Sequence, residues 1–390
     1  MKKWWLALLA LLLLAVAGGF FRAEWLRTAA QPPTVVWSRT FGPGEARFAA
    51  PTPDGGCVLT GWIATGAADT DLFIARTGRD GNLLWLKRFR GHGSSCGYCV
   101  QPVRGGGFIA VGETKAKSGW DHDLYAVRTT ENGAPIWEKT FGGRRCDYGW
   151  AVAQTKDGGF LIAGGTESFG HGLYDVYLLR LDATGAKRWE KTYGGKGSDC
   201  GYALALLPDG CLIAGSTESF SSSGTRVYLL RADRDGKLRW QKSYGGGGLA
   251  YAWSLLKTAD GCLIAGEKEV AGKSGNRLAA CLIKVDRRGR MLWEKTYGTS
   301  TSAAYTVCRA WDGGYLFAGK TASPARSYAI LVVKTDKNGA RQWEKTLPGA
   351  GADSAYSVFQ TKDGGYVLAG RRGAKEGGSV ILLLKLGFLK

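Results

Sequence analysis

The chain has 390 residues, of which 45% are apolar and 12% aromatic, so it can bury a large core and is not intrinsically disordered. Its 60 glycines, about twice the average share, return at fixed places between apolar runs, which excludes low-complexity sequence. The formal net charge of +19 raises the question of an anionic partner.

The N-terminus has the pattern of an export signal. Two lysines precede the apolar run from Trp4 to Phe21, and Ala15-Val16-Ala17 has the small-x-small spacing of a cleavage site. We therefore predict a signal peptide over residues 1–21, with an uncleaved membrane anchor as the alternative. In both cases the remaining chain would be exported: periplasmic, cell-surface or secreted. Residues 22–32 are predicted to be a linker.

After the linker, one sequence unit recurs at intervals of 48 to 53 residues. It is marked by a tryptophan in phrases such as WEKTFGG and WEKTYGG, at Trp37, Trp85, Trp137, Trp189, Trp240, Trp293 and Trp343. A second marker, Asp-Gly-Gly or a variant of it, lies at Asp54, Gly105, Asp157, Asp209, Asp260, Asp312 and Asp363. A strand-rich repeat of this length is typical of a β-propeller blade.

Each unit predicts four short strands, which we call a, b, c and d. They are rich in β-branched and aromatic residues and are separated by turn formers, as in YGWAVAQT, FLIAGG, DVYLLRL and KRWEKTYGG. The folded part begins with an unaccompanied strand d and ends with strands a, b and c. We therefore predict an all-β, seven-bladed propeller over residues 33–388, closed by the N-terminal strand, which completes the last blade and removes an open sheet edge.

The spacing D-x-x-G-x-x-x-W recurs before several of these tryptophans, for example from Asp182 through Gly185 to Trp189. It resembles the tryptophan-docking motif of the PQQ-type, or quinoprotein-like, β-propellers. The resemblance implies that each marker tryptophan packs on the neighbouring blade. Enzymes of that family bind a quinone and calcium, and many carry a disulfide between adjacent cysteines. Since this chain has neither a Cys-Cys pair nor a carboxylate cluster that breaks the repeat, we expect the scaffold alone to be shared, with no cofactor.

Much of the positive charge belongs to the repeat itself. Every strand c ends in a base, and every strand d has a base two residues after its tryptophan. These framework positions are spread round the predicted ring, and strand-d lysines protect an edge strand from pairing. Together with the predicted export, this leads us to expect no nucleic-acid partner. An anionic envelope polymer remains a candidate.

The nine cysteines fall into two groups. Five, including Cys57, Cys211 and Cys262, replace core residues of other copies. The other four lie where strand d crosses to strand a in three consecutive units: Cys96, Cys99, Cys146 and Cys200. In an exported protein such a group predicts a disulfide between blades, with a metal or redox site as the alternative.

Copy-specific residues are the candidates for function, because residues shared by all copies build the ring. Strand a carries a recurring aromatic near the predicted channel, at Tyr98, Trp150, Tyr202, Trp253, Tyr305 and Tyr356, which packing between blades explains. The d–a and b–c loops differ most between copies. Binding candidates on that face are His92, Trp120, His122, Arg144, Arg145, Asp147, His171, Lys196, Asp199 and Arg326.

The sequence therefore favours an exported, monomeric binding or scaffold propeller over an enzyme. Its expected partner is a protein or an anionic envelope polymer, and membrane contact is expected only through the N-terminal segment. We assign no catalytic residue. The alternative is a quinone- or calcium-dependent enzyme, either a dehydrogenase or an enzyme that acts on polysaccharide, with its site at the channel mouth.

Overall fold

The structure, a computed structural model, describes residues 31–388 except 67–68, 117–120, 273–274, 324–326, 350 and 375–376. The predicted signal over residues 1–21, and nearly all of the predicted linker, lie outside the described residues. No helix in the described ranges is long and apolar enough to span a bilayer.

The described residues form β-strands and no helices, which confirms the all-β prediction. In chain order the strands are β1 (Thr34–Pro51), β2 (Cys57–Ala64), β3 (Thr70–Thr77), β4 (Leu83–Phe89), β5 (Ser95–Pro102), β6 (Phe108–Lys115), β7 (His122–Thr129), β8 (Pro135–Phe141), β9 (Asp147–Gln154), β10 (Phe160–Thr166), β11 (Asp175–Leu181), β12 (Lys187–Tyr193), β13 (Asp199–Leu207), β14 (Gly210–Thr217), β15 (Arg226–Asp233), β16 (Leu238–Tyr244), β17 (Ala250–Thr258), β18 (Gly261–Val270), β19 (Arg277–Asp286), β20 (Met291–Tyr297), β21 (Ser302–Arg309), β22 (Tyr315–Ala322), β23 (Tyr328–Thr335), β24 (Arg341–Leu347), β25 (Ser354–Gln360), β26 (Tyr366–Gly373) and β27 (Ser379–Gly387).

Consecutive strands pair antiparallel in groups of four. Five separate sheets contain β5–β8, β9–β12, β13–β16, β17–β20 and β21–β24, which we number sheets 2 to 6. The long strand β1 is shared: Thr34 to Pro43 pair with β27, and Gly44 to Pro51 pair with β2. We call the second half of β1 with β2–β4 sheet 1, and β25–β27 with the first half of β1 sheet 7.

The hydrophobic core lies between neighbouring sheets. The second and third strands of each group are apolar on both faces, as the burial of every residue of β10 shows. Between sheets 2 and 3, for example, Ile109 and Val111 pack in one cluster with Ile162 and Leu179. The fourth strands are largely exposed at the outer edge. Apolar runs bounded by turn residues therefore specify inner strands that are covered on both sides.

Six of the seven marker tryptophans pack on a glycine of the following sheet, which is the contact that the family resemblance implies. At Gly236, φ is +77°, and an added Cβ would lie 2.8 Å from the Trp189 ring. The Tyr193 hydroxyl donates to the Gly236 carbonyl at 2.5 Å in the same contact. The other pairs are Trp37 with Gly81, Trp85 with Gly133, Trp137 with Gly185, Trp240 with Gly289 and Trp293 with Gly339.

The bases at the ends of the third strands are bound within the framework. Lys334 donates to Asp312 at 2.6 Å, and their side chains are only 2% and 9% exposed. Five further third-strand bases pair in the same way with the aspartate of the turn between the first and second strands. Where Gly105 replaces that aspartate, Arg128 donates to the Gly106 carbonyl at 2.6 Å instead. Much of the net positive charge thus serves the fold.

Candidate functional site

The first strands of the sheets surround a central channel. They contact one another in the order β1, β5, β9, β13, β17, β21 and β25, and β25 contacts β1 again. Each of these first strands has one residue that is left out of the pairing with the second strand of its sheet. In β5, Tyr98 is the unpaired residue between Gly97 and Cys99. Such a β-bulge re-aims the side chain of its extra residue, and here it turns that side chain into the channel.

The bulge residues form a ring of contacting side chains across the channel. Six are the aromatics that the sequence singled out, and the seventh is Arg47, which the sequence analysis missed although it occupies the same repeat position. Ring centroids are separated by 3.9 Å for Tyr98 and Trp150, 5.4 Å for Trp150 and Tyr202, 4.8 Å for Tyr202 and Trp253, 6.0 Å for Trp253 and Tyr305, and 5.3 Å for Tyr305 and Tyr356. The Arg47 guanidinium lies 4.7 Å from the Tyr356 centroid.

A cavity of about 540 Å³ extends from this ring toward the turns between first and second strands. All seven ring side chains line it, and its walls are mainly apolar, including Phe48, Val152, Leu204, Val307 and Phe359. Arg47 is the one charged residue among the described residues that line it. The ring therefore forms one end of a mostly apolar chamber.

Charged side chains that differ between copies surround the ring. They follow the Ala-Gly or Val-Gly of the second strands, at Glu113, Glu267, Lys320 and Arg371. Burial raises the pKa of the Glu113 and Glu267 carboxyls and lowers the pKa of the Lys320 amine. Sequence reasoning missed this position, although alignment of the repeats would have shown its variability.

Hydrogen bonds tie these charges to the ring. The Tyr98 hydroxyl donates to Glu113 at 2.8 Å, and the Trp253 indole donates to Glu267 at 3.1 Å. The Glu45 carboxylate is divided between two guanidinium groups, Arg371 at 2.8 Å and Arg47 at 3.0 Å. The side chains that surround the ring therefore carry charges of both signs.

On the loop face the structure separates exposed candidates from buried ones. His92, Arg144, Arg145, His171 and Lys196 are exposed, whereas His122 is half-buried beside Tyr148. Trp120 and Arg326 lie outside the described residues.

Asp147 and Asp199 are completely buried, so they do not belong to the exposed surface that the sequence assigned them to. Asp147 accepts hydrogen bonds from the Gly143 amide at 2.8 Å and the Ser168 hydroxyl at 2.7 Å. Asp199 accepts equivalent bonds in the next sheet. Both carboxylates fix the shapes of the loops, because buried polar groups need partners.

Three of these loops join into one surface. The Arg145 amide donates to the Ser168 hydroxyl at 3.0 Å, which links the loop before β9 to the loop after β10. The Leu173 amide donates to the Gly197 carbonyl at 3.3 Å, which links the latter loop to the next sheet. Leu173 is 68% exposed. We call Arg144, Arg145, His171, Leu173 and Lys196 the loop patch.

The expected disulfide among the crossing cysteines is not formed. All nine cysteines, each within the described residues, are free thiols. Cys99 packs in the core between sheets 2 and 3, whereas the Cys146 thiol lies 3.7 Å from Asp121 on the loop face. Cys99 and Cys146 thus lie in different surroundings, one in the apolar core and the other on the loop face. Across the described ranges no three His, Cys, Asp or Glu side chains form a group that could hold a metal ion.

Solved structures resemble this chain over most of its length. The WD40 domain of Neurospora crassa Pan2 matches with a TM-score of 0.59 and 12% identity over 91% of this chain and 96% of that chain. A protein of unknown function from Dyadobacter fermentans matches with a TM-score of 0.53 and 13% identity over 91% of this chain and 99% of that chain. At these identities the similarity shows the fold alone.

At the sequence level, no curated protein matches the chain significantly. A family model described as "Outer membrane protein assembly factor BamB" matches residues 174–380, which is more than half of the chain. The match confirms the PQQ-like repeat predicted from the docking motif. The chain therefore belongs to this family of PQQ-like repeat β-propellers.

Proposed function

We propose that the protein is an exported, non-catalytic seven-bladed propeller that binds a protein partner of the cell envelope through the loop patch. The observation that carries the proposal is the exposure of Leu173 between loops that supply Arg144, Arg145 and Lys196. An apolar centre surrounded by arginines is typical of binding surfaces, and most leucines among the described residues are buried.

The proposal includes a closed ring of seven blades. Sheets 7 and 1 share β1, and further bonds join them, such as the Ser357 hydroxyl to the Ala49 carbonyl at 2.9 Å. Trp37 of sheet 7 packs on Gly81 of sheet 1, as in every other pair of neighbouring sheets that has this motif. A closed ring supports a rigid binding face, because no sheet edge remains at the junction of the termini.

The loop patch is held in place before any partner arrives. Backbone bonds between sheets continue past it, since the Asp199 amide donates to the Tyr174 carbonyl at 2.8 Å. Preformed loops lower the entropy cost of association. The surrounding cations would favour an acidic partner surface and speed its approach. Burial of the Leu173 side chain contributes about 1.5–3 kcal/mol.

The envelope setting rests on two observations. The family description names an outer membrane protein assembly factor, and the N-terminus of this chain has the pattern of an export signal. Both favour a partner outside the cytoplasmic membrane. A protein partner is preferred to an anionic polymer because the centre of the loop patch is apolar.

Capture of envelope proteins by the immobilised full chain tests the proposal. The variant Leu173→Asp with Arg145→Glu should capture the partner at least about tenfold less well, since it removes an apolar anchor and reverses a charge. A matched control, Lys156→Glu with Lys257→Glu, changes two exposed bases on the opposite face and should capture normally.

Mass spectrometry identifies the captured protein, and titration with that purified protein gives the affinities. Equal capture by the loop variant, with loss in the control, would show that the wrong face was assigned. Binding of purified acidic polymer alone, without any protein, would replace the protein partner by a polymer. Turnover of a sugar or alcohol by the purified protein would contradict the non-catalytic assignment.

A further inference from the structure

The channel cavity has the composition of a small-molecule site. Its volume of about 540 Å³ lies within the usual range of ligand pockets, about 300–1,000 Å³. Aromatic faces form one end, and the walls are mainly apolar, with aliphatic side chains such as Val152, Leu204 and Val307. Three of the wall hydroxyls already bond to neighbouring strands, those of Ser254, Thr306 and Ser357. The walls therefore suit an apolar body.

Arg47 supplies a charged group at the aromatic end of this cavity. It is the one ring position where the repeat has a base instead of an aromatic. Its Nε atom is buried and has no hydrogen-bond partner within the described part of the chain. The Nε atom of Arg371 is also buried without a hydrogen-bond partner in this part of the chain. Both guanidinium groups share the single carboxylate of Glu45.

A buried guanidinium N–H without an acceptor is destabilising, so two such groups beside one carboxylate indicate an excess of donors at this end of the cavity. Glu113, a further carboxylate near the ring, is already bonded to the Tyr98 hydroxyl. The Arg47 side chain as a whole is 34% exposed and lines the cavity, so an acceptor that enters the cavity can bond the exposed part of its guanidinium group. A charge-assisted bond of this kind is about twice as strong as a neutral one.

We propose that the cavity binds a small monocarboxylate with an apolar body, whose carboxylate contacts Arg47 while its apolar part lies against the aromatic ring and the aliphatic walls. A fatty acid and an aryl carboxylate share this chemistry. The site is separate from the loop patch and does not depend on the function proposed for it.

Isothermal titration calorimetry on the full chain with decanoate and 2-naphthoate distinguishes a fatty-acid ligand from an aryl carboxylate. Each anion is compared with its neutral alcohol and with a cationic amine of the same body. At least one anion should bind about tenfold more tightly than its alcohol, a preference that corresponds to one charge-assisted bond. The amine should bind more weakly than the alcohol.

Two variants locate the binding. Arg47→Gln should remove the preference for the anion over the alcohol, whereas Arg47→Lys should retain part of it. Ala203→Leu fills the cavity without altering the Glu45–Arg47–Arg371 contacts, so it should weaken anion and alcohol alike, about tenfold. The matched control Lys257→Gln lies outside the cavity lining and should bind as the wild type does.

The outcomes are decisive even if Arg47→Gln does not fold, because Ala203→Leu and Arg47→Lys keep the cation. The proposal is overturned if neither anion binds, if the amine binds as well as the anion, or if Ala203→Leu leaves anion binding unchanged. Preference for decanoate assigns an aliphatic ligand, and preference for 2-naphthoate assigns an aryl one.

Discussion

Replacement of Gly236 by alanine tests whether tryptophan docking stabilises the ring. Gly236 lies in the turn between β15 and β16, with φ at +77° and its amide bonded to the Asp233 carbonyl at 3.1 Å. A methyl group there would lie 2.8 Å from a Trp189 ring carbon and 2.8 Å from Cγ of Lys191. Real Cβ atoms do not approach other atoms this closely, so the indole must move away from the sheet that it packs on.

Two costs combine at this position. The left-handed backbone costs a non-glycine residue about 1–2 kcal/mol. Overpacking of a well-filled contact costs about 1–3 kcal/mol more. We therefore expect Gly236→Ala to lower the free energy of unfolding by about 2–5 kcal/mol. Gly313→Ala is a matched control, because Gly313 has φ of +84° in a similar turn but no described atom within 4 Å of the added Cβ. It should show the backbone cost alone.

Urea denaturation followed by circular dichroism measures both variants. In the Trp189→Ala background the cost of Gly236→Ala should fall toward that of Gly313→Ala, since the ring is gone and only the flexible Lys191 side chain remains to be displaced. Equal destabilisation by Gly236→Ala and Gly313→Ala in the wild-type background would refute the docking argument. It would show that the turn backbone, and not the indole contact, makes glycine necessary.

Three other predictions concern ring closure, a framework ion pair and the thiols. Deletion of residues 31–42 removes the segment of β1 that pairs with β27, so it should lower the melting temperature and cause aggregation through the exposed edge of β27. An unchanged melting temperature would contradict closure of the ring by β1. A hydrogen bond from Arg76 lowers the pKa of Asp54 from 3.8 to about 2, so the stability it contributes is present above pH 3.8 and is lost as the pH falls toward 2. Asp54→Asn should therefore melt slightly below wild type at pH 5, with a much smaller difference at pH 2, and a difference undiminished at pH 2 would argue against this ion pair. Burial raises the pKa of the Cys99 thiol to about 11, so this thiol in the native protein should react slowly with a thiol reagent. Protein denatured without a reductant should show nine reactive thiols, and a smaller number would indicate an oxidised pair.

Most of the architecture could be predicted from local sequence. Turn glycines such as Gly185 and Gly236 need no distant partner to adopt positive φ, and apolar runs such as β10 specify strands buried on both faces. The recurrence of one unit, and the unaccompanied strand at each end, predicted the pairing of β1 with β27 that the structure shows. Repeated local signals were enough because each sheet packs mainly on its neighbours.

The candidate sites depended on tertiary contacts that the repeat pattern does not express. Asp147 and Asp199 are polar loop residues in the sequence, yet the serines that approach them from adjacent loops bury both carboxylates. The four crossing cysteines, for which the sequence predicted a disulfide, are free thiols, and Cys99 lies in a core cluster that the repeat pattern does not show.

The sequence by itself determined the strands, the turns, the repeat and the marker tryptophans, because these follow from residue type and spacing along the chain. Tertiary structure decided which copy-specific residues meet. It brought Arg47 into the aromatic ring beside Tyr356, placed Glu45 between two guanidinium groups, and left Leu173 exposed. The contacts of Arg47 and Glu45 join residues more than 300 positions apart in the chain, as the Arg371–Glu45 pair shows. Such contacts form only when the first and last sheets come together.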